Sequence, residues 1–389
     1  MNNRKIEDVC DIHARIGWQG LTKAEYLDSG DYYLVTGVDF KEGLIDFENC
    51  HYVAQDRYEQ DSHIQLAEDD VLVTKDGTIG KVAIVDKLDK PATLNSGVFV
   101  VRPRNRDTLI PQYLMLSLRS AAFSRFIESI KVGCTIAHLN QAKFLKYEIP
   151  VPNLTEQKCI IDTISKVESI IKSRKAQLQA LDDLVKARFV EMFGDLFFSD
   201  TKHYTVPEIA YVYIGLVTTM TKHYVSKGTP LIFNSSVREN RFEFKERVYL
   251  DEEFATANAH RKHRLNDIIT VHTGDVGTSA IIGPDLDGSL GFATIVSRIN
   301  DTEFVKPSYL CDFFNSTLCK HQLKNMIRGD RNNLNLKEFN QIQLTIPSIE
   351  EQMNWELFRN QTDKSKVAVQ KALDEAQLLF DSLMQEYFG

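Results

Sequence analysis

The sequence predicts an α+β chain in which two strand-rich domains alternate with two long helices. Three observations lead to this fold class. Two long segments contain no Pro or Gly and carry an apolar stripe with helical spacing. The segments before them consist of short strand-like runs separated by Gly, Asp, Asn and Lys turns. The second half of the chain repeats the first at a nearly constant offset, which indicates that both halves have the same plan.

The first long helix is predicted over residues 155–194. Its apolar stripe recurs at heptad spacing, which is typical of a helix that packs along a second helix. The hydroxyl of Thr155 is expected to cap the first turn, and Gly194 is expected to end the helix. At ~1.5 Å per residue, the helix would be roughly 58 Å long. The stripe residues expected to pair are Ile164, Ile171, Leu178, Leu181 and Val185.

The second long helix is predicted over residues 350–389, and it aligns with the first at an offset of 195 that places Leu373 over Leu178. A single stripe is equally well explained by packing on its own domain. Two matching stripes favour helices that pair, and an antiparallel pair would relate the two halves by a pseudo-two-fold axis. Three polar residues interrupt the second stripe, so a less regular pairing is expected there. Its pairing residues are Val369, Leu373, Ala376, Phe380 and Leu383.

The remaining segments are predicted to form two related domains, residues 1–154 and 195–349. The clearest match joins DVLVTKDGTIGKVAI, which starts at Asp70, with DIITVHTGDVGTSAI, which starts at Asp267. Both halves also contain a Pro-x-Tyr-Leu helix start and a Leu-Asn pair ahead of the long helix. In the first half, one helix is predicted over residues 111–128. A repeat of this length indicates a duplicated domain rather than a solenoid.

Composition narrows the class of protein. The net charge of −8 argues against an overall basic coat, although a local basic face stays compatible with it. The six cysteines lack the spacing of a metal site, which favours reduced thiols. The N-terminus has no apolar signal core, and no apolar run reaches membrane-spanning length. We therefore expect a cytoplasmic protein.

The doubled plan, the TKDGTIG and HTGDVGT turns, and the helix starts LN…IPVPNLTEQ and LN…IPSIEEQ resemble the specificity subunits of type I restriction–modification systems. The resemblance covers essentially the whole chain, although the second helix start lacks the first Pro. It implies two target-recognition domains, each reading one half of a bipartite double-stranded DNA target, and helices that set the unread spacer. It also implies two adenine-methyltransferase (M) subunits bound to the helices and motor–nuclease (R) subunits docked on that core.

The first domain is expected to contact DNA through polar side chains on loops, because these types hydrogen-bond to base edges and phosphates. Lys75 lies on a glycine-bearing turn where the backbone can approach a phosphate. The alternative is a tight turn between strands with a solvated lysine. Gly80 and its counterpart Gly277 are expected to be structural. The expected contacts are Gln19, Thr22, Lys23, Thr36, Lys41, Lys75 and Thr78.

The second domain contains the most basic run of the chain, residues 260–264, for which a solvated loop is the alternative interpretation. His260 and His263 have the spacing of a metal-binding pair. No Cys or carboxylate completes a ligand set, so no metal site is expected. The expected DNA contacts are Asn234, Ser235, Arg238, Arg241, Arg261, Lys262, Arg264, His272 and Thr273. The loops ahead of the long helices either meet phosphates or cap helices, and they contain His138, Asn140, Arg328, Arg331 and Asn332.

Signatures of catalysis are missing from the sequence. It contains no phosphate-binding loop, no Asn-Pro-Pro-aromatic segment of the kind adenine methyltransferases use, and no convincing nuclease cluster. We therefore expect a non-catalytic chain without a cofactor of its own, with S-adenosylmethionine, ATP and Mg belonging to partner subunits. The alternative function is a coiled-coil scaffold that gathers partners without reading DNA.

Overall fold

The computed structural model describes residues 3–15, 20–131, 138–326 and 333–389. Helices and strands are mixed throughout, so the predicted α+β class is confirmed. The chain divides into two compact units, residues 1–175 with 371–389, and residues 176–370. Each of the two long helices contributes one part to each unit. None of the described helices combines the length and the apolar character needed to cross a bilayer.

The first unit consists mainly of short strands followed by helices. Its elements up to the first long helix are β1 (Asn3–Lys5), α1 (Ile6–Val9), β2 (Cys10–Ala14), β3 (Tyr32–Val35), β4 (Phe40–Lys41), β5 (Leu44–Ile45), β6 (His51–Val53), α2 (Gln55–Glu59), β7 (Val71–Thr74), β8 (Val82–Ile84), β9 (Ala92–Leu94), β10 (Val98–Pro103), α3 (Pro111–Leu118), α4 (Ala121–Lys131), α5 (Gln141–Phe144), β11 (Glu148–Pro150) and α6 (Leu154–Phe193).

A six-stranded sheet in the order β2-β10-β7-β8-β5-β4 forms the centre of the first unit, and a three-stranded sheet in the order β6-β3-β9 packs on one of its faces. Strand β10 lies antiparallel to β7, with Phe99 opposite Val73. Both faces of β7 are buried because Val73 packs towards the helices and Leu72 packs towards the smaller sheet. This explains why the central strands are apolar throughout rather than alternating.

The prediction of a single helix over residues 111–128 is wrong. The structure has two helices, α3 and α4, separated at Arg119 and Ser120. The hydroxyl of Ser120 accepts a hydrogen bond from the backbone N–H of Phe123 at 3.2 Å. Because a serine in this position satisfies a free N–H of the first helical turn, it starts a new helix.

The second unit repeats the order of elements with one additional short strand, β14. Its elements are β12 (His203–Thr205), α7 (Val206–Ile209), β13 (Ala210–Ile214), β14 (Tyr224–Val225), β15 (Thr229–Phe233), β16 (Val237–Arg238), β17 (Arg241–Phe242), β18 (Val248–Leu250), α8 (Glu252–Ala257), β19 (Ile268–Val271), β20 (Ser279–Ile281), β21 (Leu290–Phe292), β22 (Thr294–Ile299), α9 (Pro307–Asn315), α10 (Thr317–Met326), α11 (Leu336–Phe339), β23 (Gln343–Thr345) and α12 (Ile349–Phe388). Its two four-stranded sheets have the orders β13-β22-β19-β20 and β14-β18-β15-β21.

The long helices pack against each other within each unit. In the first unit, the start of α6 and the end of α12 share apolar contacts and run antiparallel, since Ile164 clusters with Phe388 while Ile171 clusters with Ala376. Leu373, Phe380 and Leu383 pack against the latter cluster.

In the second unit, the end of α6 packs on the start of α12. The ring of Phe189 lies 5.2 Å from that of Trp355, and Lys366 Nζ lies 2.6 Å from Asp182 Oδ1, so the helices again run antiparallel. Val185 belongs to the same apolar cluster as Trp355. Three further residues predicted to pair are half-buried, namely Leu178, Leu181 and Val369.

A buried glutamine fixes the first turn of each long helix to the preceding domain. Gln157 Nε2 donates to the carbonyls of Thr108 and Pro152, each at 2.8 Å, while its Oε1 accepts from the N–H of Ile110 at 2.9 Å. Gln352 makes the same three bonds in the second unit, to Phe304, Pro347 and Lys306. The repeated Glu-Gln pair of the sequence thus holds each helix at a fixed position on its domain.

The predicted cap at Thr155 is wrong, because α6 begins one residue earlier. Asn153 Oδ1 accepts from the N–H of Glu156 at 3.0 Å. In α12, Ser348 Oγ accepts from the N–H of Glu351 at 3.3 Å, and the Glu351 carboxylate accepts from the N–H of Ser348 at 2.9 Å. The second helix therefore starts with a reciprocal capping box.

Candidate nucleic-acid interface

The turn between β7 and β8 is held by Thr74. Its hydroxyl donates to the carbonyl of Thr78 at 2.5 Å and accepts from the N–H of Lys81 at 2.9 Å. Gly80 has φ +84°, and a Cβ there would lie 2.8 Å from Ile127 Cγ1. Its counterpart Gly277 would approach Leu323 Cδ1 to 2.5 Å. Both glycines are therefore needed for close packing, as predicted, and Thr78 stays exposed.

Lys75 differs from the solvated lysine considered as the alternative. It is only 9% exposed, and its ammonium lies 5.5 Å from the centre of the Phe99 ring. The backbone N–H of Lys75 donates to the carbonyl of Gly97 at 2.8 Å, and the backbone carbonyl of Lys75 accepts from the N–H of Leu139 at 2.9 Å. The lysine thus lies where three loops meet, because His138 of the third loop also contacts the carboxylate of Asp76.

Thr36 precedes a neighbouring turn and is buried. Its hydroxyl and its N–H both donate to Asp39 Oδ2, at 2.8 and 2.7 Å. Burial raises the pKa of Asp39, while the two Thr36 hydrogen bonds oppose that rise. In the structure as described, Thr36 shapes the turn and has little surface to offer a ligand.

In the second unit, the turn between β19 and β20 corresponds to the turn between β7 and β8. It brings His272 and Thr273 close to Asn234. Asn234 Oδ1 accepts from the N–H of His272 at 3.4 Å, and Asn234 Nδ2 donates to the carbonyl of Ala293 at 3.0 Å. His272 Nδ1 lies 2.8 Å from Asn333 Oδ1, and the Thr273 hydroxyl lies 2.9 Å from the same nitrogen. His272 occupies the position of Lys75, since its carbonyl accepts from the N–H of Leu334 at 2.7 Å.

Three other predicted contacts lie on different parts of the first unit. Thr22 and Lys23 start a short 3₁₀ helix, in which the Thr22 hydroxyl donates to Glu25 Oε2 at 2.8 Å. Lys41 is exposed on the hairpin of β4 and β5, where it pairs with Asp46. Gln19 lies outside the described residues.

The basic run at residues 260–264 is partly built into the fold, so it is not a simple solvated loop. Arg261 Nη1 donates to the carbonyl of Gly215 at 2.7 Å, and the carbonyl of Lys262 accepts from Arg298 at 3.1 Å. His263 is buried with its Nδ1 2.9 Å from Ser289 Oγ, and burial lowers its pKa to about 3. Only Arg264 extends an exposed guanidinium. Among the described residues, no cluster of His, Cys, Asp or Glu would hold a metal ion.

The hairpin of β16 and β17 carries the remaining predicted contacts. Arg238 Nη1 donates to the carbonyl of Ser235 at 2.9 Å, and Arg238 Nε lies 3.2 Å from Glu243 Oε2. Ser235 and Arg241 are exposed. In the second unit the predicted contacts therefore lie in three places, namely the turn at His272, the basic run at residues 260–264, and this hairpin with the residues just before it.

An Asp–Arg pair with a buried carboxylate lies at the start of the central strand in each unit, at the opposite end from the turn. Arg102 Nη2 lies 2.6 Å from Asp70 Oδ2, and Arg298 Nη2 lies 2.7 Å from Asp267 Oδ2. Both arginines also donate to backbone carbonyls of the segment before β7 or β19. Charged hydrogen bonds of this bidentate kind fix geometry as well as contribute energy. The central strands of both units thus begin at equivalent ion pairs.

Comparison with known proteins shows what this chain is similar to. Residues 1–182 match the family described as the type I restriction modification DNA specificity domain. Residues 1–182 are therefore similar to a type I restriction–modification DNA specificity domain. The matched residues include the turn between β7 and β8 and most of α6, and they make up just under half of the chain.

Curated relatives agree with this assignment. The EcoR124I/EcoR124II specificity subunit of Escherichia coli is 24% identical over 190 residues, which cover 49% of this chain and 46% of that protein. The EcoKI specificity subunit of Escherichia coli K12 is 20% identical over 350 residues, covering 84% of this chain and 74% of the relative. In the first of these matches, the chain spans about half the length of the curated relative.

Solved structures match along the whole chain. The S subunit of a type I restriction–modification system from M. genitalium covers 100% of this chain and 96% of its own, with a TM-score of 0.56 and 16% identity. A structure from a study of type I R-M complex assembly covers 100% and 97%, with a TM-score of 0.62 and 16% identity. At this identity the likeness establishes the fold of both halves.

Sequence reasoning missed several residues that the structure places beside the predicted contacts at the two central turns. Asp76 and Asn333 hold the loops together, and Asn95 Oδ1 accepts from the N–H of Gly97 at 2.9 Å beside Lys75. The repeated Leu-Asn pairs were the sequence signal that could have identified these loop contacts. Asn140 and Asn335 each cap a short helix directly after the contacting loop, which fixes that loop against the turn. Arg328, Arg331 and Asn332 lie outside the described residues.

Proposed function

We propose that this chain is the DNA-recognition subunit of a type I restriction–modification complex, reading a bipartite target with a fixed unread spacer. The observation that carries the proposal is the duplicated turn. At equivalent positions in two related units, Lys75 and His272 are fixed by three converging loops. The same turns carry Thr78 and Thr273, which are exposed and can reach bases or phosphates. Preorganised polar groups of this kind suit hydrogen bonding to base edges and phosphates.

The four predicted segments take different roles in this proposal. Residues 1–154 and 195–349 each read one half-site, while the helices at 155–194 and 350–389 set the spacer. Each long helix has 40 residues and so a length of about 60 Å. Loops supply the contacts because their polar groups are accessible, and the Asp–Arg pairs fix the opposite ends of the strands that carry the two central turns.

The chain itself is proposed to be non-catalytic and to work in the cytoplasm with partners. Adenine methylation would be performed by two M subunits with S-adenosylmethionine, and restriction by R subunits with ATP and Mg. Support comes from apolar side chains that the long helices leave exposed. In the first unit, Leu378 is 70% exposed and Ile170 47%; in the second, Val367 is 71% exposed and Leu357 60%. Exposed apolar patches are typical of protein-binding surfaces.

The proposed function predicts a specific methylation pattern. The chain is co-expressed with its methyltransferase partner, and N6-methyladenine is mapped across a plasmid by single-molecule sequencing. We expect one motif made of two short defined blocks separated by a gap of constant length. A stable complex that leaves the plasmid unmethylated, or a single continuous motif, would contradict the proposal.

A further inference from the structure

The hairpin of β16 and β17 in the second unit is attached to the long helix α6. Glu239 lies at its tip, beside the predicted DNA contacts Arg238 and Arg241. Glu239 Oε2 lies 2.7 Å from Lys186 Nζ of α6, and Glu239 Oε1 lies 2.5 Å from Lys320 Nζ of α10. One carboxylate therefore joins the hairpin to two helices of the same unit.

The carboxylate of this bridge is partly shielded from solvent, whereas the side chains of Lys186 and Lys320 are 49% and 39% exposed. The Glu239 side chain is 29% exposed. Burial raises the pKa of its carboxyl, but hydrogen bonds from Lys186 and Lys320 outweigh that effect and lower the pKa overall. Glu239 is thus ionised at neutral pH. A partly desolvated, doubly bonded carboxylate is held in a narrower range of positions than a solvated one.

The next residue fixes the hairpin backbone. Asn240 has φ +62°, and its N–H donates to the carbonyl of Ser279 at 2.8 Å. Asn240 Oδ1 accepts from Asn315 Nδ2 at 3.2 Å and from Cys311 Sγ at 3.2 Å. The tip is therefore tied to β20 and α9. From Asn234, which holds the turn at His272, the chain reaches this tip within a few residues.

In the first unit, the corresponding hairpin tip lies close to a charged side chain that pairs with α6. The tip of the β4–β5 hairpin is Gly43, where a Cβ would lie 3.3 Å from Arg119 Nη1. Arg119 Nη1 in turn donates to Glu168 Oε1 of α6 at 2.9 Å. The ion pair beside this hairpin thus joins α6 to Arg119, whereas in the second unit the hairpin itself supplies the carboxylate that pairs with α6.

We propose that Glu239, through Lys186, positions the β16–β17 hairpin on α6 and so determines how well the second domain discriminates between bases. This inference rests on the proposed DNA-recognition function. Glu239 acts through its neighbours and is a positioning residue rather than a base contact. When the tether to α6 is lost, Arg238 and Arg241 sample more orientations, and correct bases are favoured less strongly over incorrect ones.

The test uses the complete complex with the methyltransferase partner and compares three variants of the chain. Lys186→Met removes the tether to α6 but leaves Lys320 to neutralise Glu239. Lys186→Arg keeps the tether. Lys366→Met is the matched control, because Lys366 is also a long-helix lysine of the second unit and pairs with Asp182 at 2.6 Å without contacting the hairpin.

Methylation rates are measured on the cognate site and on sites with single base changes in either half. We expect Lys186→Met to reduce discrimination roughly tenfold in the half-site assigned to residues 201–349, as for the loss of a charged hydrogen bond. Discrimination in the other half-site, and in the two remaining variants, should stay unchanged. Equal loss in both half-sites, or equal effects of Lys186→Met and Lys366→Met, would overturn the inference. If the unsubstituted complex shows no half-site preference, the proposed function itself fails.

Discussion

Replacing Arg359 by Met is expected to lower the free energy of unfolding by about 3–5 kcal/mol, because it leaves a buried carboxylate without its partner. Arg359 Nη1 lies 2.5 Å from both carboxylate oxygens of Asp312, which is 5% exposed. Trp355 Nε1 donates to Asp312 Oδ2 at 3.0 Å. Burial raises the pKa of Asp312 while Arg359 opposes that rise. The measurement is urea unfolding followed by tryptophan fluorescence.

The matched control is the double variant Arg359→Ile with Asp312→Leu. It copies the first unit, where Ile164 and Leu116 occupy the corresponding positions and are both buried. Replacing a buried ion pair by apolar residues of similar volume is often neutral, so most of the lost stability should return. A double variant as unstable as the single one would show that packing, and not the unpaired charge, accounts for the loss.

Lengthening both long helices by four residues is expected to lengthen the unread spacer by about two base pairs, from ~1.5 Å per residue and ~3.4 Å per base-pair step. Insertions after Lys175 and after Gln370 fall at the division between the two units. They leave the helix contacts inside each unit intact, such as Ile171 with Ala376 and Asp182 with Lys366. Both half-sites should therefore stay the same. The methylated motif of the variant complex gives the spacer directly.

A variant with the insertion in α6 alone provides the control. It shifts one helix relative to the other and should lower the yield of folded complex without defining a new spacer. Altered half-sites in the doubly lengthened chain, or an unchanged gap, would contradict the role of the helices as a ruler.

The long helices could be predicted because their signal is local and periodic. Residues such as Ile171 and Leu178 repeat over many turns, and helix formation depends largely on such local pattern. The start of α6 was placed one residue late because Asn153 and Thr155 are both good capping residues, and only the backbone geometry selects Asn153. The division of residues 111–128 was missed for a similar reason, since Ser120 fits both a helix interior and a cap.

Contacts between residues that are far apart in the chain could not be predicted from the sequence. In the sequence, Arg359 is one of the three polar residues that interrupt the apolar stripe of the second long helix. Nothing in the neighbouring sequence indicates that Asp312 lies against it. The sequence indicated that His263 is part of a basic loop, although its side chain is buried in the fold. Lys75 was correctly placed on a turn, but its packing on Phe99 depends on the register between β7 and β10. Asn333 joins His272 only because long-range loop contacts bring them together.

The central claim is that each half of the chain reads one half-site, and exchange of one domain tests it most directly. Residues 201–349 are replaced by the corresponding segment of another specificity subunit, and the methylated motif of the resulting complex is mapped. We predict that one half-site changes to that of the donor while the other half-site and the spacer are retained. A motif in which both half-sites change, or in which neither changes, would contradict the account.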